Sequence, residues 1–274
     1  MHGLGNDFIL VDDRPRSLPE DKLPGLAARL CDRHFGVGAD GLILVRPSDT
    51  ADFQMRVINS DGSEAEMCGN GIRCFAVFLH EKGITSKNPV SVETRAGVLS
   101  VDLSKDPSGT TLVRVDMGEP GVDRAAIPMA GEGSALNVPL EVDGRTFVVN
   151  GVSMGNPHAV VFLDSLEEFD WERYGPQLMR HPAFPKQTNV HFVEKVGPDE
   201  LRVKVWERGA GPTLACGTGA CAVTTAAVLN GLTGRDITVH LPGGPLRIEW
   251  DATTNHLFMT GPAVSVFEGE TVSA

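Results

Sequence analysis

Met67-Cys68-Gly69-Asn70-Gly71-Ile72-Arg73-Cys74 has a counterpart 148 residues further on, Ala215-Cys216-Gly217-Thr218-Gly219-Ala220-Cys221. In each, a cysteine stands ahead of Gly-x-Gly and an apolar run follows, over 72–81 and 220–230. The run after Cys216 has apolar or small residues on nearly every side, and a helix without a polar face is expected inside its domain. Working outward, short β-type runs bounded by Gly, Asp, Asn or Pro flank both helices. They lie at 8–11, 42–45, 53–58, 90–93, 98–103 and 111–116 in the first half. The second half has them at 141–142, 147–149, 159–163, 191–193, 201–206, 237–241, 246–250, 257–259 and 264–267. Asp143-Gly144 marks a hairpin, because both central residues of that turn need a positive φ. Two further short amphipathic helices are expected, Leu23–Cys31 and Trp171–Met179.

The same offset carries more than the cysteine motif, and self-similarity at a fixed spacing is the mark of a repeated unit. Met55-Arg56-Val57-Ile58-Asn59 falls on Val203-Lys204-Val205-Trp206-Glu207 with no gap before the cysteines. Gly5-Asn6 followed by Phe8-Ile9-Leu10-Val11-Asp12 resembles Gly155-Asn156 followed by Ala159-Val160-Val161-Phe162-Leu163-Asp164. Four features in one order at nearly one spacing predict two pseudo-symmetric domains, each with strands wrapped round a central helix. The boundary is expected in the loose stretch 118–134, giving a first domain over 1–117 and a second over 118–261.

The chain has 274 residues, 41% hydrophobic and 22% charged, which suits a globular protein of two domains. Lys plus Arg number 24 against 36 Asp plus Glu, a net charge of -12. That balance argues against nucleic acid or an anionic membrane as the main partner, since both need a basic footprint. No apolar stretch approaches the roughly 20 residues of a membrane span. The opening residues lack a basic signal-peptide region, so the cytoplasm is the expected location. Five cysteines (Cys31, Cys68, Cys74, Cys216 and Cys221) are too few and too odd in number for a disulfide scaffold and are expected as thiols.

Several motifs fail their context. Gly36-Val37-Gly38-Ala39-Asp40-Gly41 fits the dinucleotide pattern but follows a helix and precedes a strand, the reverse of the working order. Gly151-Val152-Ser153-Met154-Gly155 fits a serine-hydrolase elbow but is followed by another strand. Cys68, Cys74, Cys216 and Cys221 form two pairs, yet the second cysteine of each lies inside an apolar helix. Structural zinc prefers tight turns. Cys31, Cys74 and Cys221 are therefore expected as small core residues, and no metal site is expected. There is no H-E-x-x-H, no P-loop and no lysine in a Schiff-base context, so pyridoxal phosphate is not indicated.

Cys68 and Cys216 read differently. Glycines after them leave the first helical N–H groups open to a ligand. A helix N-terminus favours anions, so a thiol there has its pKa drawn from about 8.5 toward neutrality. An anion forming on a bound substrate would be stabilised by the same donors. If the halves face each other, two opposed thiols and a carboxylate cradle suit stereochemical inversion at a carbon next to a carboxylate. One thiolate removes the proton and the opposite thiol returns one to the other face.

These residues carry a family resemblance. Met1-His2-Gly3-Leu4-Gly5-Asn6-Asp7-Phe8, Asn59-Ser60-Asp61-Gly62-Ser63, both cysteine motifs, Gly155-Asn156-Pro157-His158 and Glu207-Arg208-Gly209-Ala210-Gly211-Pro212-Thr213 resemble the diaminopimelate epimerase family. The resemblance runs from the first residue to the end. It implies an α+β fold of two pseudo-symmetric domains, each an antiparallel β-barrel around a central helix, with the C-terminal strand 262–274 returning to the first. It also implies a cofactor-independent isomerase interconverting L,L- and meso-2,6-diaminopimelate, for lysine and peptidoglycan precursor synthesis.

By the same resemblance Cys68 and Cys216 would be the base/acid pair, assisted by His158 and Glu207. Gly69-Asn70 and Gly217-Thr218 would supply N–H groups to the reacting carboxylate. Asn6, Asn59, Asn156, Asn189, Glu207 and Arg208 would bind the substrate. Its distal carboxylate suits Arg208 and its ammonium suits Glu207. Each asparagine can donate to one group and accept from the other, although each singly could be a turn or cap residue. Gly41 stands where many relatives carry a Gln and has no side chain to offer. Phe267 stands where relatives often have a Tyr at a dimer interface, which implies a homodimer through that surface.

Overall fold

The computed structural model describes residues 1–271. The chain divides into two compact units, Met1–Val115 together with the stretch from Gly261 onward, and Asp116–Thr260. The first unit runs β1 (His2–Gly3), β2 (Asn6–Asp12), α1 (Leu23–Cys31), β3 (Gly41–Arg46), β4 (Phe53–Asn59), β5 (Glu64–Ala65), α2 (Gly69–Glu81), β6 (Val90–Thr94), β7 (Gly97–Lys105) and β8 (Thr111–Asp116). Side by side the strands lie β1-β2-β3-β4-β6-β7-β8, with β5 paired to the end of β4. Helix α2 packs against β1, β2, β3, β4 and β7, so the sheet curls round it. Helix α1 covers the outer side over β3 and β4. Caught between two helices, all six residues of β3 are buried, arginine included.

The second unit repeats the plan. It runs β9 (Val138–Val142), β10 (Arg145–Ser153), β11 (Pro157–Leu163), α3 (Trp171–Met179), β12 (Asn189–Gly197), β13 (Glu200–Glu207), β14 (Gly211–Pro212), α4 (Gly217–Leu229), β15 (Asp236–Leu241), β16 (Gly244–Trp250) and β17 (Leu257–Pro262). The lateral order is β9-β10-β11-β12-β13-β15-β16-β17, with β14 on the end of β13. Helix α4 packs against β10, β11, β12, β15 and β16, and α3 lies outside on β12 and β13. Asp143 and Gly144 take φ of 53° and 75° at the β9–β10 turn, the hairpin geometry those residues predict.

The expected fold class holds, with one refinement: the sheets are mixed. β2 and β3 pair in parallel, as do β4 and β6, and the matching pairs β11–β12 and β13–β15 do the same. The cause is the helices. Each lies between the two strands of such a pair in sequence, and a crossover through a helix returns the chain in the same direction.

Other differences are local. The central helices begin at Gly69 and Gly217, three residues ahead of the apolar runs, because glycine's poor helix propensity hides the first turn in the sequence. Residues 264–267 form no strand. Val264 makes a single bridge with His2, while Val266 and Phe267 stay exposed. Helix α4 also contains two buried threonines, Thr224 and Thr225. Their hydroxyls bond the carbonyls of Ala220 and Cys221 one turn back, which is how polar groups are tolerated in that core. Among the described residues no helix is long and apolar enough to cross a membrane.

Candidate active site

All five cysteines are thiols. Cys31, Cys74 and Cys221 are buried, and burial pushes Cys31 up to about 11 and Cys74 to about 12, so both stay protonated and inert. Cys68 and Cys216 are the N-cap residues of α2 and α4, with the same extended backbone, φ/ψ of -137°/113° and -124°/106°. Gly69-Asn70 and Gly217-Thr218 form the first helical turn beside each sulfur, where N–H groups lack helical partners.

In the first unit, Gly5 at φ 86° closes the β1–β2 turn and puts Asn6 at the head of β2. The Oδ1 of Asn6 accepts from Asn70 Nδ2 at 3.1 Å and faces the Cys68 sulfur at 3.8 Å. Its Nδ2 donates to Asp40 Oδ2 at 2.6 Å. Asp40 is in turn held by Arg33 at 2.8 Å. From inside the helix, the fully buried Arg73 donates to Asn70 Oδ1 at 2.9 Å, to the Gly69 carbonyl at 3.1 Å and to the Pro262 carbonyl at 3.2 Å. Arg73 thereby fixes which end of the Asn70 amide turns to Asn6. Asn59 spends its Nδ2 on Ser63 Oγ at 2.9 Å, within its own turn. Gly41 sits where a Cβ would come 3.0 Å from the Ile58 carbonyl, so a side chain there would need the strand to shift.

In the second unit Gly155, also at φ 86°, delivers Asn156 ahead of β11. Asn156 Nδ2 donates to Thr218 Oγ1 at 3.3 Å, and Thr218 Oγ1 lies 3.6 Å from the Cys216 sulfur. Asn156 Oδ1 is left to accept, and it does so from His158 Nε2 at 2.8 Å. The other nitrogen of His158 lies 2.9 Å from His191 Nε2. Both rings are fully buried, and burial holds both neutral: His191 falls to about 3, and His158 falls well below its ordinary value, helped by His191 and Arg208. Asn189 donates to the Pro157 carbonyl at 3.0 Å and accepts the Arg208 N–H at 2.9 Å. The Arg208 guanidinium is exposed and reaches the Lys186 carbonyl at 3.1 Å. Thr213 donates its hydroxyl to Glu207.

Each unit thus gathers its own share of the expected residues: Asn6, Gly69 and Asn70 round Cys68, and Asn156, His158, Gly217 and Thr218 round Cys216. Asn189, Glu207 and Arg208 lie together where β12 and β13 begin and end. Asn59 ends β4 in its own turn, bonded to none of the first group. Sequence reasoning missed Asp40, Arg73 and His191. Two of them carried a visible signal, an arginine in an apolar helix and a histidine in an apolar strand. One nitrogen each of His158 and His191 and the sulfur of Cys216 lie within 4.8 Å of one another, close enough to be weighed as metal ligands. Both nitrogens of His158 are already taken, by His191 and Asn156, so ligation through His158 would break one of these buried bonds.

A profile of the diaminopimelate epimerase family matches residues 1–122 and 151–266. The chain is 56% identical over 273 residues to the diaminopimelate epimerase of Desulfitobacterium hafniense, covering 98% of this chain and 95% of that one. It is 50% identical over 272 residues to that of Methanococcus maripaludis, covering 98% and 97%. Among solved structures, a Bacillus anthracis phenazine biosynthesis protein of the PhzF family superposes with a TM-score of 0.72 at 18% identity, covering 100% of this chain and 95% of that one. A hydroxyproline epimerase from Agrobacterium vitis gives 0.65 at 16% identity, over 95% and 86%. At such identities these two likenesses speak for the fold alone. The match over nearly the whole length at half identity or better says more: the chain belongs to the diaminopimelate epimerase family of isomerases.

Proposed function

We propose that this protein epimerises L,L-2,6-diaminopimelate to the meso isomer without a cofactor, using Cys68 and Cys216 as its two acid/base groups. The observation that carries this reading is that both cysteines cap the N-termini of equivalent buried helices, each opening on Gly-x-Gly. One thiolate takes the α-proton as general base, and the other thiol returns a proton to the opposite face as general acid. The N–H groups of Gly69-Asn70 and Gly217-Thr218 hold the reacting carboxylate and stabilise the charge that builds on it as the proton leaves. Asn6 and Asn156, fixed on Asp40 and Thr218, orient the ligand beside each sulfur. Arg208 and Glu207 bind the distal carboxylate and ammonium, with Asn189 pinning the Arg208 backbone. His158 and Glu207 assist the thiols. The product serves lysine and peptidoglycan precursor synthesis in the cytoplasm, and the working form is a homodimer with Phe267 at its interface.

The test is proton NMR of reduced protein with L,L-diaminopimelate in deuterated water and no added cofactor, beside Cys68→Ala and Cys216→Ala. The expected result is deuterium at one α-carbon with meso product in the unaltered protein, and no epimerised product from either variant. Turnover persisting in both variants would remove the two-thiol mechanism. Turnover of proline or hydroxyproline instead would move the substrate.

A further inference from the structure

Matched strand by strand, the two units differ where the second one buries its histidines. Phe8 and Leu10 of β2 pair with Gly41 and Ile43 of β3, and in the equivalent ladder His158 and Val160 of β11 pair with Asn189 and His191 of β12. His158 therefore holds the place of Phe8, and His191 the place of Ile43. The contacts agree: a Cβ on Gly71 would meet Ile43 Cδ1 at 2.9 Å, and a Cβ on Gly219 would meet His191 Cε1 at 2.2 Å and the Cys216 sulfur at 3.0 Å. Ile43 stands beside the helix entrance at Cys68, where the entrance at Cys216 has a pair of imidazoles.

The hydrogen bonds leave little freedom in that pair. With the Asn156 amide turned so that Nδ2 donates to Thr218, its Oδ1 accepts and His158 carries its hydrogen on Nε2. A neutral His158 then has a bare Nδ1, which can only accept, and His191 Nε2 at 2.9 Å is its donor. His191 in turn is left with a bare Nδ1, and that atom is buried without a hydrogen-bond partner. An orphaned buried nitrogen is costly, because it gives up its bond to water and gains none in the protein. A residue kept at that cost calls for a role that an apolar residue, as at Ile43, would not fill.

We propose that His191 is a positioning residue for the epimerisation: by donating Nε2–H to His158 Nδ1 it holds His158 in the Nε2–H form that orients Asn156 and Thr218 beside Cys216. The proposal rests on the two-thiol reading above. In this role His191 exchanges no proton with the substrate. It works through the chain His191–His158–Asn156–Thr218, and it makes the second thiol's surroundings unlike the first's.

The experiment compares the full-length protein with His191→Gln, whose amide nitrogen can still donate to His158, and with His191→Phe, which cannot. Nitrogen-15 NMR of histidine-labelled protein reads the His158 tautomer without reference to turnover. The expected spectrum shows His158 as the Nε2–H form in the unaltered protein and in His191→Gln, and as a mixture in His191→Phe. Epimerisation should fall in His191→Phe by roughly 10- to 100-fold in kcat with little change in KM, the usual size of an orienting-partner loss, and return most of the way in His191→Gln. His158 as the Nδ1–H form in the unaltered protein would overturn the proposal, as would His191→Phe turning over within twofold of it. Stoichiometric metal bound through His191 in purified protein would overturn it too. If His191→Phe does not fold, the spectra of the unaltered protein and of His191→Gln still decide it. If the unaltered protein does not act on diaminopimelate at all, the functional reading fails while the tautomer result stands by itself.

Discussion

The sulfur of Cys68 lies 3.3 Å from the backbone nitrogen of Gly71, accepting its N–H at the open end of α2. The Cys216 sulfur caps no backbone N–H of α4 and lies 3.6 Å from the side-chain hydroxyl of Thr218 in that helix's first turn. Two cysteines at equivalent N-caps thus have different neighbours. An N–H donor and a helix N-terminus both favour charge on sulfur. Cys68 is also half-buried, whereas Cys216 is buried.

From this follows an order of alkylation. With iodoacetamide near pH 7.5, Cys68 is expected to react first and Cys74 to stay unmodified. A thiol pushed up to about 12 has a thiolate fraction smaller by roughly a thousandfold than an ordinary one. Mass spectrometry of tryptic peptides over time reads this directly. Modification of Cys74 at a rate near that of Cys68 would contradict the placement of both.

The glycines one turn into the central helices should answer differently to the same substitution. At Gly71 the added methyl meets the tip of Ile43 at 2.9 Å, a flexible end that can turn aside. Alanine also favours a helix over glycine by about 1 kcal/mol. Gly71→Ala is therefore expected within about 1 kcal/mol of the unaltered protein. At Gly219 the methyl would meet a fully buried imidazole at 2.2 Å. Gly219→Ala should cost about 1–3 kcal/mol and most of the epimerisation, as His191 is driven off His158. Equal denaturation midpoints for the two variants would contradict this.

How much of this was legible beforehand depended on whether a property repeats along the chain or arises across it. The Gly-Asn strand heads and the Cys-Gly-x-Gly motifs sit at nearly constant spacing; they point to a duplicated fold and to Cys68 and Cys216 directly, while a binding role for Asn6 and Asn156 comes with the family resemblance. The direction of the strands was not legible, since parallel pairing is set by helices that cross over, which no alternation of side chains reports. In the sequence His191 shows only as part of a strand, because its meaning lies in Asn189 and His158 standing side by side on neighbouring strands. In the sequence Arg73 is one residue of the first cysteine motif, with nothing to mark a role of its own. Its partners, the Gly69 carbonyl, Asn70 and the Pro262 carbonyl, come together only when the C-terminal stretch returns to the first unit.

The buried histidines should make the protein acid-labile in a specific window. Burial holds both neutral when folded, His191 down to about 3. In the unfolded chain each takes up a proton below about 6.5. Below that pH the unfolded state therefore binds two more protons, and stability is lost at up to about 2.7 kcal/mol per pH unit as pH falls. The loss levels off only near the folded values. Denaturant midpoints between pH 7 and pH 5 measure the slope, and His191→Phe should roughly halve the histidine share. A flat profile through this range would mean that the pair is not held neutral. His256 works in the opposite sense: its bond to Asp116 raises it, so its contribution is complete below about 6.5 and fades as pH rises through the folded value.

A final prediction concerns the first unit. A cavity of about 360 Å³ is lined by Arg46, Arg56, Arg95, Glu20 and Glu64, among others. Its charges answer one another: Arg56 bonds Glu64 at 2.7 Å and also reaches Glu20, which bridges to Arg46. The deepest pair is Arg46 with Asp13, at 2.7 Å and with 1% and 0% of the side chains exposed. Asp13 also accepts the Leu18 N–H at 3.1 Å and so ties the chain after β2 to the end of β3. Removing one partner leaves a buried charge alone, and Arg46→Met is expected to cost about 3–5 kcal/mol. Adding Asp13→Asn removes the stranded charge and should recover a good part of that loss while leaving Cys68 untouched. Equilibrium unfolding of the single and double variants gives the comparison. A double variant less stable than Arg46→Met alone would show that the pair stabilises the unit through Asp13's backbone and Ser17 bonds rather than through the charge on Arg46.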